Sequence, residues 1–126
     1  MEFIKVNPHP KNRKVGDCVL RAIVSIDGRK WLDVYDDLCA IGREELELPN
    51  AKTTYEKYLE THGYTKFKMP KHSNGKRYTV RQFAEENNKG SFYVTVANHC
   101  CAVVDGNLYD LWNCGAKSVC NYYKKN

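Results

Sequence analysis

The stretch Lys14-Val15-Gly16-Asp17-Cys18-Val19-Leu20-Arg21-Ala22-Ile23 decides how the chain is organised. A Gly-Asp turn delivers a cysteine onto the first turn of a helix. Val19, Leu20, Ala22, Ile23, Val24 and Ile26 are apolar on nearly every side, which predicts a central, buried helix. Asp17 is a good N-cap type, and Asp27-Gly28 is a stop. At a helix start the unpaired N–H groups and the positive end of the dipole favour thiolate over thiol. A thiolate is the nucleophile that acyl transfer needs. The competing reading is that Cys18 is a small buried apolar residue, a common fate for free cysteine.

Working outward, Trp31, Val34, Tyr35, Leu38 and Ile41 follow helical spacing and predict a second helix, with Gly42 as its C-cap. A third helix is expected over about Thr54 to His62. Thr79-Val80-Arg81-Gln82 forms a capping box for a fourth, running through about Asn87. Strands are expected at Phe3 to Val6, at Tyr64 to Phe67, and then in a run: Phe92 to Val96, His99 to Val104, Asn107 to Trp112 and Val119 to Tyr123. Asp105-Gly106 is the strongest hairpin signal. Helices come first and strands second. The expected class is therefore α+β, one domain over residues 1–126, with N-terminal helices packed on a C-terminal antiparallel sheet.

The chain has 126 residues, enough for one buried core. With 42% hydrophobic and 28% charged residues it reads as globular, and no apolar run approaches a membrane span. The N-terminus lacks the apolar core of a signal peptide, so a cytoplasmic location is expected, with all six cysteines reduced. The net charge of +5 is unevenly placed. Asp33 to Glu60 carries eight acidic residues against three basic ones, whereas Tyr64 to Arg81 carries six Lys or Arg and no acid. The second stretch predicts a basic loop.

His99 opens the strand that leads into the hairpin. If Asp105-Gly106 is a two-residue turn, Val104 pairs with Asn107, His99 lies opposite Trp112, and Asp110 lies opposite Cys101. Strand alternation then puts His99 and Asp110 on one face as diagonal neighbours. Asp110 is placed to orient an imidazole that takes a proton from a thiol. A three-residue loop would shift the register and favour Asn113 as the third member. His9, between prolines, and His72, in the basic loop, fit less well.

The order Cys18, His99, Asp110 resembles the papain-like cysteine peptidase fold, which sets a cysteine helix against a sheet carrying the histidine. The stretch His99 to Asp110 is similar to the His-strand-turn-strand-Asp pattern of bacteriocin-processing peptidases and transglutaminase-like proteins. Cys18-Val19-Leu20-Arg21-Ala22-Ile23 resembles the cysteine helix of ovarian-tumour-type deubiquitinases, although Gly-Asp-Cys matches their Asp-Gly-x-Cys lead-in only in part. The whole chain resembles small phage and mobile-element proteins that carry Gly-Asp-Cys and Tyr-Asp-x-Trp signatures. That likeness implies the cytoplasm of a bacterium or a phage-infected host cell. In the papain and bacteriocin-processing branches an oxyanion-hole glutamine stands six residues before the cysteine. Here that position is Asn12, a shorter side chain that is still a competent donor.

These readings imply a cysteine hydrolase acting on a peptide, isopeptide or related amide, with a catalytic set of Cys18, His99 and Asp110 and with Asn12 at the oxyanion. No cofactor and no metal ion is implied. The implied partner is a protein or peptide, acidic where it meets the basic loop Lys66 to Arg81, and not a membrane. Three alternatives compete. Zinc favours ligands such as His99, Cys100, Cys101, Cys114 and Cys120, but Cys-x-x-Cys pairs are absent, and adjacent Cys100 and Cys101 point to opposite faces of a strand. Lys66, Lys68, Lys71, Lys76, Arg77 and Arg81, interleaved with Tyr64, Phe67 and Tyr78, suit a single-stranded nucleic acid. The third alternative is a papain-like domain that binds without turnover.

Overall fold

Four helices and six strands form in the computed structural model, which describes all 126 residues. In chain order they are β1 (Phe3–Lys5), α1 (Cys18–Asp27), α2 (Trp31–Glu45), α3 (Lys52–Thr61), β2 (Tyr64–Lys68), α4 (Val80–Glu86), β3 (Ser91–Val96), β4 (His99–Val104), β5 (Asn107–Asp110) and β6 (Asn121–Lys125). The class is α+β. No helix is long and apolar enough to cross a membrane.

The sheet corrects one expectation. Its order is β1-β5-β4-β3-β6-β2, and it is mixed rather than antiparallel. β1 adds in parallel to β5, pairing Phe3 with Leu108 and Lys5 with Asp110. β2, from the middle of the chain, forms the other edge against β6. The sheet is therefore not purely C-terminal. Its parallel edge is three residues long and joins segments about a hundred positions apart, so no local pattern announces it.

The centre of the sheet follows the hairpin logic of the sequence. β3 and β4 pair around the turn Ala97-Asn98, with Val96 opposite His99. β4 and β5 pair around Asp105-Gly106, with Val104 opposite Asn107 and Ala102 opposite Tyr109. Asp105 and Gly106 both have positive φ, 49° and 79°, as a two-residue turn matched to the strand twist requires. Asn98, at φ 56°, serves the first hairpin in the same region.

Strand alternation divides the core in two. Tyr93, Cys100, Ala102 and Tyr123 face α1 to α3 and pack with Val19, Ile23, Leu38 and Leu59. Phe92, Val94, Cys101 and Val103 face α4 and pack with Phe83 and Val80. Thr79 and Gln82 make the predicted capping box on α4. Gly42 departs from its expected role as a C-cap. α2 continues to Glu45 and ends at Leu46 in the left-handed region. Gly42 is needed because the chain folds back over it: a Cβ there would lie 2.6 Å from the Glu47 carbonyl oxygen.

This topology gathers several ends at one rim of the sheet. β1, β2, β3 and β5 finish there, and β4 and β6 begin there. Asp110, His99, Thr95 and Lys68 therefore share the rim, and α1 presents Cys18 to it.

Candidate active site

The site is built where α1 meets the start of β4. Cys18 is the first residue of α1 and is half-buried. Val19, Leu20 and Ile23 anchor the helix in the core behind it. Cys18, His99, Cys100, Asn98, Asn50 and Lys52 are among the residues that line a cleft of about 400 Å3.

His99 Nε2 lies 2.6 Å from Asp110 Oδ2. Only 11% of the His99 side chain and 1% of the Asp110 side chain is exposed, so the contact is sheltered from water. The Trp112 ring covers the imidazole at 4.7 Å between centroids. The register expected from the two-residue turn is thus realised, and Asp110, not Asn113, is the residue that meets His99. Asn113 instead closes its own turn: its Oδ1 accepts from the Gly115 N–H at 2.9 Å, and its side chain is exposed.

Charge in the site follows from these neighbours. Hydrogen bonding from Cys100 pulls the Cys18 thiol down; burial opposes this, and His99 adds to it. The Cys18 pKa falls to about 4. Burial disfavours a charged imidazole, but the bond to Asp110, helped by Cys114 and Cys18, outweighs it and pushes His99 up to about 11. Burial would also raise Asp110, yet His99, the Leu111 N–H and Arg21 hold it below the usual carboxylate range. Cys100 is pushed well up, by burial first and by the neighbouring Cys18 second. These neighbours favour the thiolate form of Cys18 and the charged form of His99.

Asp17 does not act as the side-chain cap expected of it. Its carboxylate makes no bond to the helix start. Its Oδ1 accepts from Arg21 Nη1 at 2.8 Å, and its Oδ2 accepts from Trp31 Nε1 at 2.9 Å. Arg21 also donates through Nε to Asp110 Oδ1 at 3.1 Å. Asp17, Arg21 and Asp110 are 3%, 4% and 1% exposed. The negative charge beside Cys18 is thereby balanced by Arg21, and the Cys18 N–H is left without an acceptor in the protein.

Asn12 does not reach the cleft. It sits in an exposed loop at φ 53°, and its N–H donates to the His9 carbonyl at 2.9 Å. That loop curls around His9, whose Nδ1 accepts from the Lys11 N–H at 3.0 Å and whose ring packs on Trp31 at 4.9 Å. The Pro8-His9-Pro10 turn thus draws Asn12 toward α2. Asn50 and Asn98 are the side-chain amides that line the cleft in its place.

Sequence reasoning missed Arg21, Asn50 and the pairing of Cys100 with Cys18. One signal for Arg21 was present: a lone cation on an otherwise apolar helix, four residues after Asp17, needs a buried partner. Cys114 also joins the site. Its Sγ donates to Asp110 Oδ2 at 3.4 Å, and hydrogen bonding with Cys101, partly offset by burial and aided by His99, brings it down to about 7. The donor atoms of His99, Asp110 and Cys114 lie within 4.8 Å of one another, so this trio is the set best placed to hold a metal ion. A cation there would face the Arg21 guanidinium on the other oxygen of Asp110. Of the five donors that the sequence suggested for zinc, only His99 and Cys114 belong to this trio. Compared with protein-family models, with curated proteins and with solved structures, the chain matches none.

Proposed function

We propose that the protein is a cysteine hydrolase that cleaves an amide bond in a peptide or protein, with Cys18 as nucleophile, His99 as proton carrier and Asp110 as the group that orients it. The observation that carries this reading is the sheltered 2.6 Å contact between His99 and Asp110 in the same cleft as a half-buried cysteine at a helix start. A buried carboxylate on a histidine that shares a cleft with a half-buried cysteine is the arrangement that proton transfer to and from a thiol needs.

The steps follow from the charges. The Cys18 thiolate attacks the carbonyl carbon. The oxyanion is met by the free Cys18 N–H at the start of α1, with Asn50 or Asn98 as the second donor. His99 gives its proton to the leaving nitrogen, and the C–N bond breaks to leave a thioester on Cys18. His99, now neutral, takes a proton from water as that water attacks. The acid departs and the thiolate returns. Asp110 keeps the imidazole turned toward the sulfur throughout. The layout, a cysteine helix packed on a sheet that carries the histidine and the acid, supports a papain-like arrangement of the fold. The exposed basic loop beside the rim supports a partner that is acidic where it meets Lys68 and Lys71.

The test is site-resolved alkylation by iodoacetamide between pH 4 and 9. Wild-type Cys18 is expected to react well below the free-thiol pKa of about 8.5, and His99→Ala is expected to move that reactivity upward. Labelling of Cys18 only near pH 8.5, or a profile indifferent to His99→Ala, would refute the reading.

A further inference from the structure

The Cys18 cleft and the basic stretch lie on opposite sides of the sheet. Cys18, Tyr55 and Cys100 line the cleft and pack with the core beneath α1 to α3. Met69, in the basic stretch, packs instead on the core beneath α4. It lines a groove of about 290 Å3 together with Lys68, Lys71, Arg77, Tyr78 and Cys120, among others. Groove and cleft share no lining residue, so the groove takes no part in the Cys18 site.

The groove carries charge of one sign. Lys68, Lys71 and Arg77 are exposed, none forms a salt bridge, and no carboxylate lines the groove. Arg77 is held in place: its Nη2 donates to Cys120 Sγ at 3.1 Å and to the Val119 carbonyl at 3.4 Å. Tyr78 is backed by His72, ring on ring at 3.6 Å with planes 22° apart. Glu86 meets the Tyr78 hydroxyl and does not line the groove. The other face of the same edge differs. There Lys66 is paired with Glu56 at 2.8 Å, and Glu56 and Glu60 line a separate pocket.

Strand alternation carries the groove onto the sheet. The Met69 N–H donates to the Cys120 carbonyl at 3.2 Å, which extends the β2–β6 pairing by one step. Phe67 pairs with Tyr122, two positions away along each strand, so these rings share a face with Met69 and Cys120 at a spacing of about 7 Å. The rings stack at 5.3 Å with planes 18° apart, and Phe67 is 42% exposed. Two positions further, Thr65 pairs with Lys124, an exposed cation that forms no salt bridge. An aromatic pair thus stands between cations on one strip along β2 and β6.

We infer that this strip binds a single-stranded nucleic acid, with phosphates on Lys68, Lys71, Arg77 and Lys124 and a base stacked on Phe67. The inference goes beyond the hydrolase reading and stands without it. A single strand needs cations for its backbone and flat apolar faces for its bases, and every base has a ring face to stack whatever the sequence. A duplex hides those ring faces, and a run of Asp and Glu has none. Free cations supply the attraction, which salt will weaken.

The experiment uses the full chain and a fluorescein-labelled twelve-nucleotide oligothymidylate, read by fluorescence anisotropy. Binding is expected to weaken steeply between 50 and 200 mM salt, with a log–log slope of about −2 to −3 for three or four phosphates. Lys68→Glu with Lys71→Glu should remove most of the binding, and Phe67→Ala should weaken it about tenfold. Lys124→Gln should lower the slope by about 0.7. All of these side chains are exposed, so the fold is expected to tolerate the changes. Oligonucleotide at saturation should leave the rate of Cys18 alkylation unchanged, because cleft and strip lie on opposite sides of the sheet. No binding at 50 mM salt, equal binding of a duplex or of an Asp/Glu peptide, indifference to Phe67→Ala, or protection of Cys18 by the oligonucleotide would overturn the inference.

Discussion

Arg21 Nε donates to Asp110 Oδ1 at 3.1 Å while Asp110 Oδ2 meets His99, so the helix that carries Cys18 also holds the carboxylate that holds the imidazole. Arg21 reaches in the other direction to Asp17, next to Cys18. Both arms of the site are therefore tied to one buried guanidinium.

Replacing that guanidinium should be costly. Arg21→Met would strand two carboxylates that are 3% and 1% exposed. A loss of about 3–5 kcal/mol is expected from urea unfolding, the usual cost of leaving buried charge uncompensated. Adding Asp17→Asn should recover part of it. A loss under about 1 kcal/mol would mean that the network is not closed in solution.

The choice of third member can be read directly. In Asp110→Asn the imidazole loses its main support, so His99 should titrate lower and the pH midpoint of Cys18 alkylation should rise. Once the midpoint passes the working pH, each further unit of rise lowers the thiolate population there by roughly tenfold. Asn113→Ala and Asn12→Ala should leave the midpoint where it is, since one side chain only closes a turn and the other lies in a remote loop. An upward shift with Asn113→Ala would reverse the assignment.

Stability should carry the same signature in pH. The Cys18 pKa is depressed on folding from about 9 to about 4, so its contribution is complete above about 9 and falls away as pH drops through about 4. His99 is raised from 6.5 to about 11, so its contribution is complete below 6.5 and is lost as pH rises through about 11. Measured against Cys18→Ser, the wild type should therefore lose its relative stability on acidification toward pH 4. A difference independent of pH between 9 and 4 would show that Cys18 does not ionise on folding.

Gly42→Ala tests how the cleft wall is held. The added methyl would meet the Glu47 carbonyl at 2.6 Å and push on the link that ends at Asn50. A loss of about 1–3 kcal/mol is expected in thermal or denaturant unfolding. An unchanged midpoint would show that the link moves freely.

What the sequence disclosed follows the range of the forces involved. The Asp105-Gly106 turn fixes pairing by local geometry, so the meeting of His99 with Asp110 was legible before any fold was known. The four helices were legible too, the first from its all-round apolar character, the second and third from apolar spacing, and the fourth from its capping box. Arg21 was not, because only one partner, Asp17, stands beside it at the start of the same helix, while the other, Asp110, lies on a strand 89 positions away. Asn12 went astray because its place was inferred by counting back from Cys18, while the Pro8-His9-Pro10 turn and the His9–Trp31 contact redirect the loop. The parallel edge was hidden for the same reason as Arg21: its partners are set by the assembled sheet and not by neighbours in the chain.

That parallel edge also sets an order of assembly. A ribosome makes Phe3 105 positions before Leu108, its partner in the sheet. At typical elongation rates, roughly 5–20 s of synthesis separates the two. Cys18 emerges early in that interval, with neither His99 nor Asp110 yet made. The nascent thiol is thus an ordinary one, and the growing chain passes most of its translation chemically quiet. Reactivity arises only when the last strands close on the first.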